Sequence, residues 1–142
     1  MEREPKKKER KSDKNNQYYI FGPWSFSIGE AARIIEEKPR PTVSLPVFEW
    51  ANAFGLPGLE TPGMIRLLGP GPYFDKDYAM TTDLSDPVIV ATLVDKEGVA
   101  SPLFIDGTHR LYRAFQEGVE ELPAYVLTAE ETEMVRRNRY LE

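Results

Sequence analysis

The chain has 142 residues, 41% hydrophobic and 11% aromatic, with a formal net charge of −5, one histidine and no cysteine. That length leads us to expect one domain with a sizeable core, and the missing cysteines exclude disulfides, a thiol nucleophile and cysteine-ligated metals. No apolar run approaches roughly 18 residues, so no transmembrane helix and no membrane partner is expected; the charged N-terminus has no apolar signal core behind it, so a cytoplasmic protein is the expectation.

The charge is uneven. Residues 1–14 hold seven Lys/Arg against four Asp/Glu, and the remainder holds eleven basic against nineteen acidic residues. An acidic body argues against general duplex binding, which depends on neutralising phosphates. From Met1 to about Gln17 the chain is polar and nearly free of apolar side chains, a composition expected to stay disordered. Its Lys6–Lys11 run (KKKERK) is either a contact for nucleic acid or membrane lipid, or a solvated tail.

Tyr18 to Phe21 is expected as a strand or packing arm, broken by Gly22-Pro23. Ser27 and Glu30 form an S-x-x-E capping box. The helix behind it should bury Ile28, Ala31, Ala32, Ile34 and Ile35 and stop before Pro39. Thr42 to Leu45 reads as extended. Pro46 to Phe54 reads as a short helix, with Val47, Trp50, Ala51 and Phe54 on one stripe and Gly55 as its stop. Glu49, off that stripe, is either a solvated carboxylate or, if it faces the Gly107 turn, a general base or metal ligand. Leu56 to Tyr73 is rich in glycine and proline. It is read as a functional loop or a rigid connection, with Arg66 clamping an anion or forming an ordinary ion pair. Asp75 should cap a helix running toward Leu84, with Tyr78 and Met80 as packing residues.

Pro87 to Val94 is a strand by its β-branched content. Asp95 to Gly98 is a hairpin turn, and the partner strand runs from about Val99 to Ile105. Asp106-Gly107 is a tight-turn dipeptide. A helix is expected from Thr108, with Leu111, Tyr112, Ala114 and Phe115 as its apolar stripe and Gly118 at its C-terminal cap. Leu122 to Leu127 is a further strand, and Thr128 with Glu131 repeats the capping box. The final helix should bury Met134 and Leu141. Its Arg136–Arg139 run (RRNR) is a basic patch, a candidate nucleic-acid contact placed to complement the helix's negative end.

Strand, glycine turn and helix N-terminus therefore meet at Asp106–Arg110. The first amides of a helix lack partners within it and carry the positive end of its dipole, so such a turn suits phosphate. Gly107 admits a positive φ and a close backbone approach. Thr108 can cap the helix or bond a phosphate oxygen. His109 can donate to phosphate or shuttle a proton, or serve as a satisfied structural residue. Arg110 offers a planar fork for two phosphate oxygens, or a surface ion pair. Asp106 can hold Mg²⁺ through water or simply build the turn. No histidine–carboxylate cluster has metal-ligand spacing, which argues against zinc.

From Asp86 to about Thr128 the chain resembles the ParB/sulfiredoxin superfamily, through Ile105-Asp106-Gly107-Thr108-His109-Arg110 with Ala114, Gly118 and Pro123 downstream. The resemblance implies one α/β (α+β) domain over residues 18–142, with a small mixed sheet and flanking helices. It also implies a nucleotide, ATP or another nucleoside triphosphate, with phosphates against the motif. Sulfiredoxins use a cysteine immediately before the His-Arg pair. Thr108 stands there instead, which excludes their chemistry. The superfamily's free serine kinases carry D-G-H-H-R, and this chain differs from that only at Thr108. ParB partition proteins bind CTP through G-E-R-R, whereas this chain has Gly107-Thr108-His109-Arg110 and no recognisable helix-turn-helix module after it. The implied activity is a Mg²⁺-dependent triphosphate phosphohydrolase or small-molecule kinase, with His109, Asp106 and Glu49 as catalytic candidates. The alternatives are a DNA-binding or nuclease ParB-like module, or a noncatalytic nucleotide-sensing regulator.

Overall fold

The computed structural model describes residues 17–56, 74–138 and 140. The N-terminal tail with Lys6–Lys11, the Gly/Pro-rich stretch with Arg66, and Arg139 and Leu141 lie outside the described residues. The protein is a mixed α/β structure. In chain order its elements are β1 (Tyr18–Phe21), β2 (Trp24–Ser27), α1 (Ile28–Glu37), β3 (Val43–Pro46), α2 (Val47–Ala53), α3 (Lys76–Ala79), β4 (Val88–Val94), β5 (Ala100–Asp106), α4 (Thr108–Gln116), β6 (Glu121–Val126), α5 (Ala129–Val135) and β7 (Arg136–Asn138). One sheet has the order β1-β2-β7 and the other β3-β6-β4-β5. Among the described residues no helix is long and apolar enough to cross a membrane.

The chain divides into two compact units. The first takes the residues up to Pro41, Val90–Asp106, and those from Val126 onward. Here Phe26 pairs with Tyr19 on one side and Arg136 on the other, in antiparallel register, and is fully buried. Ser27 ends β2 and caps α1, its hydroxyl accepting from the Glu30 amide at 3.2 Å. Glu30 Oε2 accepts from Arg137 at 3.2 Å, so this carboxylate serves a long-range ion pair. Helix α1 buries Ile28, Ala31 and Ile35, while Ala32 and Ile34, expected inside, are partly exposed. Pro39 follows its C-cap, as a residue that cannot continue a helix should.

At α5 the capping box is complete, with Thr128 Oγ1 accepting from the Glu131 amide and the Glu131 carboxylate accepting from the Thr128 amide. The buried side of α5 is Thr132 and Val135, both 0% exposed, and the expected Met134 points outward at 59%. Thr132 Oγ1 accepts from the Thr92 amide at 2.9 Å, which satisfies a β4 donor with a helix side chain. The arginine run is also corrected. Arg136–Asn138 does not extend the helix but forms a strand against β2. Three residues without β-branching give no strand signal of their own; pairing with Trp24–Phe26 imposes it.

The second unit takes Thr42–Ile89 and Gly107–Tyr125. Strands β3 and β6 pair antiparallel and set Leu45 opposite Leu122, both buried. Helix α2 begins on Pro46, which offers no side-chain cap; the Val47 amide instead donates to the Glu120 carbonyl at 3.0 Å. Val47, Ala51 and Phe54 are buried and Trp50 partly so, and Gly55 stops the helix at φ 71°. Helix α3 is shorter than expected, ending at Ala79, with Met80 40% exposed rather than packed. Both α2 and α3 pack on α4. Helix α4 ends in a Schellman motif: Val119 N–H donates to the Ala114 carbonyl at 2.8 Å and Gly118, at φ 74°, donates to Phe115 at 3.3 Å. Leu111 and Ala114 are fully buried on its inner side.

Candidate functional site

Strand β5 ends at the half-exposed Asp106, and the next residue is the turn. Gly107 has φ 116° and ψ 22°, and a Cβ built there would lie 2.9 Å from Val88 Cβ. The position needs glycine for its backbone conformation and for the space that Val88 occupies. Gly107 is the N-cap of α4 and contributes no side-chain bond; Thr108, considered as the cap, is instead the first helical residue, half-exposed. The helix opens with the Leu111 amide donating to the Gly107 carbonyl at 2.9 Å.

His109 is half-exposed on that first turn, against two aromatic rings. Phe74 stacks on the imidazole with centroids 4.5 Å apart and planes 15° apart. Tyr78 meets it nearly perpendicular, at 4.9 Å and 83°. Phe74 also touches Tyr112 at 5.4 Å and 63°. Tyr78 was expected as a packing residue, but its link to His109 was not, and Phe74 was missed. The available signal was Phe74 just before the capping Asp75 and four residues before Tyr78, a spacing that brings two rings to one side of a starting helix.

Arg110 is placed otherwise than a phosphate fork requires. It is 7% exposed. Its Nη1 donates to the Asp86 and Pro87 carbonyls, both at 2.7 Å, and lies 3.4 Å from Asp86 Oδ2. The guanidinium thus holds the entry to β4. Arg113, one turn on, does a similar job: its Nη1 donates to the Thr82 carbonyl and its Nε pairs with Glu117 at 2.9 Å. In the loop these two arginines hold, the Ser85 hydroxyl and amide donate to Asp83 and keep its carboxyl below the usual range.

Glu49 lies on α2, which packs on α4, but its side chain is exposed. Among the described residues no group of three or more His, Asp or Glu side chains gathers as a metal site. The two described arginines of the basic patch, Arg136 and Arg137, are each paired with a carboxylate. Arg136 pairs with Glu133 at 2.6 Å and lies over the Trp24 ring at 4.5 Å, and Arg137 pairs with Glu30. No protein-family model matches the chain, and no curated protein or solved structure matches it.

Proposed function

We propose that the Gly107–His109 turn binds the phosphate of a nucleotide. The observation that carries this reading is the half-exposed imidazole on the first turn of a nine-residue helix that starts from a left-handed glycine. The helix dipole and the first amides favour an anion there, and the imidazole adds a donor. Asp106 would be the protein's ligand to Mg²⁺, which would supply positive charge to offset the phosphate. Arg110 has a structural part in this reading, and the solvated Glu49 has no part in binding. Phosphohydrolase or kinase activity would follow from positioning and charge stabilisation at the same turn. A regulator that senses the nucleotide without turnover would use the same contacts.

The test is thermal denaturation with inorganic phosphate, ATP, CTP and GTP, each with and without Mg²⁺. A ligand about a hundredfold above its Kd stabilises the fold by about 2.7 kcal/mol. The expected result is a rise in Tm with at least one nucleotide that His109→Ala reduces. No shift with any of these ligands at millimolar concentration overturns the proposal.

A further inference from the structure

We infer that the outer edge of β1 is a contact surface for a second copy of this chain, which adds its own β1 antiparallel across a two-fold axis. The phosphate reading plays no part in it.

In the sheet β1-β2-β7, β1 is an outer strand. Its register and one hydrogen bond fix which backbone groups face outward. Tyr18 lies opposite Ser27, and Ile20 opposite Ser25. The Ile28 amide donates to the Gln17 carbonyl at 3.0 Å, so the pair next to Tyr18 and Ser27 is a hydrogen-bonded one. Bonded and non-bonded pairs alternate along an antiparallel ladder. Tyr18 and Ile20 therefore turn their N–H and C=O groups away from β2, and among the described residues no strand lies on that side. Their side chains share one face of the sheet, 59% and 52% exposed.

Outer strands are commonly guarded by charge or proline against pairing with another chain. Strand β7, the other outer strand of this sheet, carries Arg136 and Arg137. Strand β5, outer in the second sheet, carries Pro102. Strand β1 reads Tyr-Tyr-Ile-Phe and carries neither guard.

The occupant that fits this edge is β1 itself. With Tyr19 on the two-fold axis, Tyr18 faces the partner's Ile20 and Ile20 faces the partner's Tyr18. Each outward N–H then meets an outward C=O. The same pairing sets an aromatic ring beside a β-branched side chain, a favourable cross-strand combination. The contact is isologous and closes on itself. Charge selects the antiparallel direction. Residues 1–14, which lead into β1, hold seven Lys/Arg against four Asp/Glu. Antiparallel strands bring these basic stretches in at opposite ends of the contact, whereas parallel strands would set them side by side. An edge of four residues makes a small interface, so association should be weak and concentration-dependent.

The test is sedimentation equilibrium of the full chain from micromolar to millimolar concentration, with amide hydrogen exchange over the same range. The mass should rise from 16.2 kDa toward twice that value. The Tyr18 and Ile20 amides should slow as the mass rises, while those of Tyr19 and Phe21, already directed at β2, should not change. Tyr18→Lys/Ile20→Lys sets the introduced ammonium groups opposite one another and should weaken association at least about tenfold. Val99→Lys, at a 57% exposed position of the same unit outside β1, should leave it unchanged. A mass that stays at 16.2 kDa up to millimolar concentration overturns the inference. So does a rise in mass without slowing at Tyr18 and Ile20, or an association that the double variant leaves intact or that Val99→Lys weakens equally.

Discussion

Arg40 and Glu131, 91 residues apart in the chain, meet as a two-pronged ion pair, Nη1 to Oε1 at 2.5 Å and Nη2 to Oε2 at 2.9 Å. Each partner is held from behind. Arg40 also donates to the Lys38 and Val126 carbonyls, and Glu131 also accepts from the Thr128 amide within its capping box. The carboxylate therefore joins the end of α1 to the start of α5 with little freedom to move. Its hydrogen bonds from Arg40 lower its pKa from 4.5 to about 2, against the opposing effect of burial.

The sign of the pH dependence follows. A depressed carboxyl pKa stabilises the fold fully above its unfolded value, and the gain is lost as pH falls toward the folded value. Glu131→Gln should cost about 2 to 3 kcal/mol at neutral pH, since Arg40 keeps its charge and loses its partner. In urea unfolding the gap between wild type and variant should narrow steadily below about pH 4.5 and be small near pH 2. A gap of constant size across that range would show that the carboxylate's charge is not what stabilises.

Gly107→Ala should destabilise the fold by about 2 to 4 kcal/mol, from the positive φ together with the collision with Val88. Val88→Ala in the same chain removes the Cγ part of the collision and keeps the 2.9 Å contact with Cβ, so the double variant should recover only part of the loss in denaturant midpoint. Full recovery would mean that neither the backbone conformation nor the Cβ contact carries a cost.

Arg110→Met should lower stability by about 2 to 4 kcal/mol, because the Asp86 and Pro87 carbonyls lose a charged donor in a buried place. Arg110→Lys should fall between, since an ammonium lacks the planar geometry of the guanidinium. The loss should be the same in the presence and absence of phosphate. A variant that keeps wild-type stability and loses only its response to phosphate would assign Arg110 to the ligand instead.

Much of the fold was legible because its signals are short-range. Ser27, Asp75 and Thr128 each accept from an amide three residues on, and the sequence spacing carries that bond within itself. Gly55 and Gly118 mark helix ends for the same reason. What was not legible is where long side chains go. Arg110 is paired with carbonyls 23 and 24 residues back, and nothing in D-G-T-H-R distinguishes an arginine turned toward a ligand from one turned toward the preceding strand. The buried side of α5 differs from the expected one for a related reason. Met134 is the more hydrophobic residue, yet Thr132 is the one inside, because its hydroxyl meets a strand amide that needs an acceptor. Strand β2 gave no separate signal, since Trp24–Ser27 reads as the approach to a helix until β1 and β7 flank it.

The interleaving of the first unit bears on how the molecule is made. Strand β2 is synthesised early, but its second neighbour, Arg136–Asn138, is more than a hundred residues later. Until Arg136–Asn138 is made, β1 and β2 lack the third strand of their sheet, and a two-stranded hairpin is of marginal stability in water. Phe26 cannot be sealed until translation reaches Arg136. The first unit thus cannot complete its sheet before β7 is made, and a pause in synthesis before α5 would hold an aromatic-rich hairpin open to chaperones.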